Sequence, residues 1–242
     1  MEIKAISFDF WGTLFTESGD AFRFYGERRQ KLLTEALANY GAFTPGRIQE
    51  ASRAEAESHD SIWREEHRTL PAADRLGTIL GHLKVRLPDK IVAEIARAFE
   101  EGLYERPPVL IPGAREAIES LSLRYRLGII SDVGFSPGRV LKRVLRQADL
   151  IGAFESLVFS DEAGFSKPHP EVFRQTARTL ACEPGEMVHV GDLEHTDIVG
   201  AKRAGYRAIR FTGVTQMSEE ETTMADRVTA SMNTVPAIIS EW

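Results

Sequence analysis

The chain has 242 residues, of which 43% are hydrophobic and 27% are charged, and its formal net charge is -6. This composition is typical of a globular protein with a substantial core, and the acidic balance argues against nucleic-acid binding, which needs a basic face. No apolar run approaches the roughly 20 residues of a membrane-spanning helix, so we expect no membrane partner. The chain enters a strand almost at once, and we expect no signal peptide. The single cysteine, Cys182, excludes an internal disulfide and favours a cytoplasmic protein.

The first predicted element is a short apolar strand that starts at Ala5 and ends in Asp9. The segment that follows, from about residue 17 to residue 107, has the pattern of helices rather than strands. Thr44-Pro45 and Leu87-Pro88 are typical helix starts, and residues 32, 33, 36, 37 and 40 form one apolar stripe. Helices are predicted over residues 20–40, 45–67, 71–84 and 88–105.

The remainder of the chain alternates between short apolar runs and amphipathic segments. The runs are not themselves alternating in polarity, which is typical of strands buried on both faces of a parallel sheet. Strands are predicted over residues 126–130, 156–159, 187–190 and 207–211, with a short one near 227–229. Helices are predicted over 113–123, 137–148, 170–180 and 196–204, with another from about 235. This alternation predicts a doubly wound parallel α/β core.

The helical segment interrupts that core directly after its first strand. We therefore predict two domains: an α/β core formed by residues 1–16 and 108–242, and an inserted all-helical cap formed by residues 17–107. The hinge is expected at residues 15–19 and 105–109, where Gly19 supplies flexibility and Pro107-Pro108 stiffness. The oligomeric state stays open between monomer and homodimer.

Polar residues follow four of the predicted strands. Asp9 and Thr13 follow the first, Ser131 and Asp132 the second, Lys167 lies in the loop after the third, and Asp192 and Asp197 follow the fourth. Each alone has an ordinary structural explanation, such as a turn, a helix cap or a solvated loop. Together they are expected to meet, because the carboxyl ends of parallel strands share one rim of the sheet.

The order Asp, Ser, Lys and Gly-Asp resembles the four motifs of the haloacid dehalogenase-like hydrolases. The resemblance covers residues 1–14 and 109–230, and the helical insert resembles the C1-type cap of that family. It implies a Rossmann-like core in which Asp9 is the nucleophile. It further implies that Gly12, Thr13, Ser131, Asp132 and Lys167 bind the substrate, with Ser131 and Lys167 also taking part in catalysis.

Three acids on one rim would repel each other unless a cation compensates them, and carboxylate oxygens are the ligands that Mg²⁺ prefers. The resemblance implies that Asp9, Asp192 and the main-chain carbonyl of Trp11 bind Mg²⁺ directly. Asp197 is expected to support the metal site and to hold Lys167.

Trp11 stands where phosphatases of this family carry a second Asp, which protonates the leaving alcohol and then activates water. An indole offers one N–H and no useful proton exchange near neutral pH, and loss of such a group typically costs about 10²–10⁴ in rate. We favour a phosphatase of small phosphorylated metabolites that uses good leaving groups or a substitute acid, such as Glu194, His195 or a cap residue. Two alternatives stay open: a 2-haloacid dehalogenase, and a regulatory domain that binds a phosphorylated ligand.

Two further expectations concern the surroundings of the site. Members of the resembling family often carry Asn at the position of Asp132, and a carboxylate there adds negative charge beside an anionic substrate. We therefore expect Asp132 to cap the helix that begins near Ser136. Substrate choice is expected to depend on polar and aromatic side chains of the cap, for which the candidates are Phe22, Arg23, Tyr25, Arg28, Arg29, Trp63, Arg64, His67 and Arg68.

Overall fold

The core of the protein is a six-stranded, fully parallel sheet. The computed structural model describes residues 2–41, 43–215 and 222–242. In chain order the strands are β1 (Ala5–Phe8), β4 (Arg126–Ser131), β5 (Ser156–Phe159), β6 (Met187–Gly191), β7 (Arg207–Phe211) and β8 (Arg227–Thr229). Their order across the sheet is β5-β4-β1-β6-β7-β8. Because the order reverses at β1, the sheet is doubly wound, which confirms the predicted fold class.

β1 lies in the centre of the sheet and fixes the register of its neighbours. Phe8 lies opposite Ile129 of β4 and Val190 of β6. All four residues of β1 are buried, as expected of a strand covered on both faces. The residue after β1 therefore emerges between the ends of two other strands.

Helices cover both faces of the sheet. They are α5 (Ala114–Ser122), α6 (Gly138–Gln147), α7 (Ser160–Ala163), α8 (Pro170–Thr179), α9 (Val199–Arg203) and α10 (Val235–Ser240). The single helix predicted over residues 196–204 is divided in the structure, because one π-helical turn over Glu194–Ile198 precedes α9. Pro170 is the first residue of α8 as predicted, whereas Pro137 lies just before α6, which begins at Gly138.

Four helices form the inserted segment: α1 (Ala21–Leu37), α2 (Pro45–Glu66), α3 (Ala72–Leu83) and α4 (Asp89–Glu100). Thr44 caps α2 by accepting a hydrogen bond from the backbone N–H of Arg47. The helices enclose a hydrophobic cluster separate from that of the sheet, with Leu33, Ile48 and Leu76 at its centre. The four predicted helices are present with slightly shorter bounds.

The chain passes between the sheet and the inserted helices twice, and the two connecting segments lie side by side. Strand β2 (Phe15–Thr16) pairs antiparallel with β3 (Val109–Leu110). These strands have two residues each, too few for a sequence pattern to indicate them. The pairing lies at the predicted hinge, while the division into core and cap domains remains a prediction. No helix within the described ranges is long and apolar enough to cross a membrane.

Candidate active site

Four of the predicted site residues meet at the carboxyl ends of the central strands. Asp9 directly follows β1, Asp192 directly follows β6, and Lys167 lies in the loop between α7 and α8. Asp197 reaches the same place from the π-helical turn after β6. All four side chains are buried, so the doubly wound topology gathers residues that lie up to 188 positions apart in sequence.

Lys167 connects two of the acids. Its ammonium Nζ donates to Oδ1 of Asp9 at 2.5 Å and to Oδ1 of Asp197 at 2.6 Å. Burial alone would lower the pKa of Lys167, but the charges of Asp197 and Asp9 outweigh it and raise that pKa. The lysine is therefore a permanent cation, fixed beside the Asp9 carboxylate.

Asp197 is held by groups other than Lys167 as well. Its Oδ2 accepts the backbone N–H of Leu193 at 3.0 Å, and its Oδ1 lies 3.1 Å from Nε2 of His189. Burial opposes ionisation of Asp197, but Lys167 and these hydrogen bonds outweigh it, so its pKa lies well below the ordinary value. Asp197 is thus an ionised anchor for the lysine.

Asp9, Asp192 and Asp197 form a cluster of three carboxylates whose nearest oxygens all lie within 4.8 Å of one another. Burial and the neighbouring charges raise the pKa of Asp9 well above its ordinary value despite Lys167. Burial and the charge of Asp197 raise the pKa of Asp192 to about 6. A cluster of three buried acids facing one ammonium has an excess of negative charge, and its hard oxygen donors fit Mg²⁺.

Two glycines permit this close packing. Gly12 has a φ of +70°, and a Cβ at that position would lie 2.4 Å from Oδ2 of Asp192. A Cβ at Gly191 would lie 2.4 Å from the Cβ of Asp197. Glycine is therefore required at both positions, the first for conformation and both for space.

The catalytic cavity, a space of about 320 Å³, lies above these acids. Trp11, Gly12, Glu17, Trp63, Asp132 and Thr215 contribute to its lining. Thr13 is fully buried and is not among the lining residues, and its hydroxyl has no hydrogen-bond partner within the described ranges. Ser131 is buried at the end of β4, where its hydroxyl donates to the carbonyl of Asp132 at 3.1 Å.

The expectation that Asp132 caps the following helix is wrong. The carboxylate of Asp161 accepts from the backbone N–H of Gly138 at 3.1 Å and so caps α6. Asp132 instead accepts from Nε1 of Trp63 at 3.0 Å and from the backbone N–H of Lys167 at 2.9 Å. It therefore connects the cap to the loop that carries the lysine.

Neither Glu194 nor His195 lies at the catalytic cavity. The carboxylate of Glu194 accepts from Arg210 at 3.1 Å, from Thr223 at 2.6 Å and from the backbone N–H of Met224 at 2.8 Å. Glu194 thus anchors the segment before β8. The ring of His195 packs edge-on against Trp63, with 5.6 Å between ring centroids.

A second cavity of about 1180 Å³ lies between core and cap, and Trp11 and Glu17 line it together with the catalytic cavity. Among the arginines along it, Arg28 and Arg75 pair with Glu105 and Glu55. Arg29 has no acidic partner among the described residues, and its guanidinium lies 4.6 Å from the ring centroid of Phe135. Burial, with the charge of Arg75, lowers the pKa of Arg29 to about 10.

The other cap candidates divide into two groups. Trp63 reaches the catalytic cavity, and His67 contacts the loop of Lys167 through its backbone carbonyl, which accepts from the N–H of Ser166 at 2.7 Å. Phe22 is 78% exposed at the large cavity, where Tyr25 also lies. The remaining arginines, Arg23, Arg64 and Arg68, lie on exposed faces beside acids.

Three residues of the site were not foreseen from the sequence. His189 is fully buried within β6 between Ser7 and Asp197, and a histidine inside an apolar strand was a signal for it. Thr215 donates to Oδ2 of Asp192 at 2.6 Å, and Glu17 lines both cavities. Neither of these two lies in a recognisable pattern.

Fold and site together define a capped α/β protein with an aspartate at the end of its central strand. The model of the haloacid dehalogenase-like hydrolases matches residues 3–205, and the chain belongs to that family. It is 36% identical over 102 residues to a glyceraldehyde 3-phosphate phosphatase of Pyrococcus abyssi, and these residues make up 42% of each chain. It is 29% identical over 170 residues to a phosphorylated carbohydrates phosphatase of Thermotoga maritima, covering 66% of this chain and 74% of that protein.

The chain thus spans about two fifths of the length of the Pyrococcus relative. Among solved structures, a 2-haloacid dehalogenase from Pseudomonas syringae has a TM-score of 0.76 at 23% identity, with 99% of each chain covered. A phosphatase of the same family from Thermococcus onnurineus has a TM-score of 0.68 at 22% identity, with 98% of each chain covered. At these identities the likeness shows the fold alone.

Proposed function

We propose that this protein is a Mg²⁺-dependent phosphatase of small phosphorylated metabolites in which Asp9 forms an aspartyl-phosphate. The observation that carries the proposal is the Asp9–Asp192–Asp197 cluster, in which three buried carboxylates lie within 4.8 Å of one another around a single lysine. A phosphatase needs such a cation site, whereas the metal-independent dehalogenases of the family lack the acid at the Asp192 position.

Asp9 and Asp192, with the main-chain carbonyl of Trp11, would hold the Mg²⁺, and Asp197 would support it. When bound, the metal neutralises the carboxylates and the phosphoryl oxygens, which lets an anion attack an anion. The carboxylate of Asp9 attacks phosphorus, and the ester oxygen leaves. Lys167, Thr13 and Ser131 would stabilise the charge on the phosphoryl oxygens. The backbone N–H of Gly12 is not available for this, because it donates to the carbonyl of Phe15 at 2.8 Å.

The part of the substrate beyond its phosphate would lie in the large cavity. This cavity adjoins the catalytic one at Trp11 and Glu17, so it is the adjacent space for the rest of the substrate. Arg29 offers a guanidinium without an acidic partner in the described chain, which suits a hydroxyl-rich or anionic group. The phosphatase relatives named above for a triose phosphate and for phosphorylated carbohydrates support this substrate class.

The proposal is tested by release of p-nitrophenol from p-nitrophenyl phosphate. Its leaving group needs little protonation, so the assay does not depend on an acid at position 11. We expect activity with Mg²⁺, its loss with a chelator, and its loss in Asp9→Asn, which keeps the shape of the side chain. Mg²⁺ binding without any turnover would instead favour a regulatory role for the bound phospholigand.

Trp11 favours a second candidate, a haloacid dehalogenase, because a halide leaves without a proton. In that case Asp9 displaces the halide from carbon, and water cleaves the resulting ester. Chloride release from 2-chloropropionate that persists with chelator and disappears in Asp9→Asn would establish this activity in place of the phosphatase.

A further inference from the structure

Trp11 raises the question of which group gives a proton to the leaving oxygen. Within the described ranges, five carboxyl groups line the catalytic cavity: those of Asp9, Glu17, Asp132, Asp192 and Asp197. A general acid must lie in the cavity and be free to turn toward the leaving oxygen. These requirements separate one carboxyl group from the other four.

Four of the five carboxylates are held by other groups. Asp9 and Asp197 share the ammonium of Lys167, Asp132 accepts from Trp63 and from the backbone of Lys167, and Asp192 accepts from Thr215. All four are also tied to the nucleophile, to the metal site or to the lysine loop. None is free to deliver a proton to an ester oxygen.

Glu17 differs from these four in its contacts. Its carboxylate has neither a hydrogen bond nor an ion pair with any described residue, and its side chain is exposed. It directly follows β2, where the chain passes from the sheet to the inserted helices. It lines both the catalytic cavity, which Asp9 also lines, and the large cavity.

We propose that Glu17 is the general acid and base of this enzyme and replaces the aspartate that Trp11 displaces; this inference rests on the proposed phosphatase function. In the first step, the Asp9 carboxylate forms a bond to phosphorus as the bond to the ester oxygen breaks. The Glu17 carboxyl gives its proton to that oxygen, so a neutral alcohol leaves.

In the second step, the Glu17 carboxylate takes a proton from water as the water oxygen attacks phosphorus. The bond between phosphorus and Asp9 breaks, which releases inorganic phosphate and restores the Asp9 carboxylate. The proton that Glu17 gives in the first step is thus replaced from water in the second, so no other proton donor or co-reactant is needed.

The test compares p-nitrophenyl phosphate with phenyl phosphate in single-turnover measurements on the wild type and Glu17→Gln. The two substrates share a ring and differ mainly in how basic the leaving oxygen is, since phenol has a pKa of about 10 and the nitro group lowers it. Without the acid, phenol release is expected to slow by about 10²–10⁴-fold, and p-nitrophenol release by much less. Because the water step slows too, Glu17→Gln with p-nitrophenyl phosphate in excess should release one p-nitrophenol per site in a burst.

Glu35→Gln is the matched control, since Glu35 lies on the exposed side of α1, where it pairs with Lys31. We expect wild-type rates from it with both substrates. Equal slowing of both substrates by Glu17→Gln, or no slowing of either, would overturn the role of Glu17. Inactivity of the wild type toward both would instead overturn the proposed phosphatase, so the two failures are distinguishable.

Discussion

At the scale of single residues, the buried carboxyl groups of the site lie close enough together for their charges to repel each other. Burial and the charge of Asp197 raise the pKa of Asp192 to about 6, whereas an aspartate in an unfolded chain titrates near 3.9, an approximate reference value. The folded protein therefore binds this proton more tightly than the unfolded chain does. The free energy of unfolding therefore falls as the pH rises from about 3.9 to about 6, and above about pH 6 ionised Asp192 destabilises the metal-free protein.

Asp192→Asn should accordingly stabilise the protein while it impairs the metal site. The amide oxygen can still accept from Thr215, and one negative charge is gone. In chelator at pH 8 we expect the free energy of unfolding to rise by about 3 kcal/mol, since the pKa of Asp192 is raised to about 6 and one pKa unit corresponds to about 1.4 kcal/mol. The gain should shrink as the pH falls toward about 5, where the wild-type carboxyl takes up its proton.

Thermal unfolding from pH 5 to 8, with chelator and with Mg²⁺, measures this effect. Mg²⁺ should raise the melting temperature of the wild type and have little effect on Asp192→Asn. A variant that is less stable than the wild type at pH 8 without metal would show that the three carboxylates do not repel each other as described.

The sequence predicts some of these residues better than others. Asp9, Lys167, Asp192 and Asp197 are predictable, because the carboxyl ends of parallel strands must meet. Asp132 was misassigned, since the group that caps α6 comes from Asp161, 23 residues after Gly138. Local patterns cannot show that a distant side chain already occupies a capping position.

At the scale of elements, the end of α2 and the turn after it fasten the cap to the loop of Lys167. Trp63 donates to Asp132 at 3.0 Å, and the backbone of Ser166 donates to the carbonyl of His67 at 2.7 Å. The hydroxyl of Thr69 lies 2.7 Å from that of Ser160 and 2.9 Å from that of Ser166. These contacts form a polar clasp, defined by residues 63–69, that closes one side of the catalytic cavity.

Trp63→Phe should loosen this clasp without removing the aromatic ring. The variant loses one hydrogen bond to the partly buried carboxylate of Asp132, and a bond to a charged group is worth about 1.5–3 kcal/mol. We expect kcat/KM for p-nitrophenyl phosphate to fall about ten-fold or more. Steady-state kinetics with Trp242→Phe as the control, a tryptophan at the far end of the chain, isolates the role of position 63. Identical kcat/KM values in the two variants would show that the hydrogen bond from Trp63 to Asp132 does not contribute to catalysis.

Elements with a long periodic pattern were predicted within a few residues, and those without one were not. The four cap helices follow from apolar periodicity and proline positions, and the strands of the sheet follow from short, uninterrupted apolar runs. The β2–β3 pair has two residues per strand and depends on the crossings being adjacent in space. The π-helical turn at Glu194–Ile198 adds a residue to the turn that carries Asp197, and periodicity over five residues cannot reveal it.

At the scale of the whole molecule, core and cap contribute different parts of the chemistry. The ends of β1 and β6 fix the proposed nucleophile Asp9 and Asp192. Lys167 and Asp197 reach the same place from a loop and from the π-helical turn. The helices enclose the large cavity, and the crossing between the two carries Glu17. The family and its fold follow from the order of the motifs along the chain, because that order dictates the topology. The volume of the cavity and the partners of Arg29 depend on packing between distant helices, which one sequence does not encode locally.

The central claim is that Asp9 carries the phosphoryl group. It is tested most directly by mass spectrometry of protein quenched in acid during turnover of p-nitrophenyl phosphate. We predict one phosphoryl group on the peptide that contains Asp9, formed only with Mg²⁺, absent in Asp9→Asn, and more abundant in Glu17→Gln. Phosphate release at the wild-type rate by Asp9→Asn, or turnover without any modified Asp9 in either the wild type or Glu17→Gln, would contradict the account.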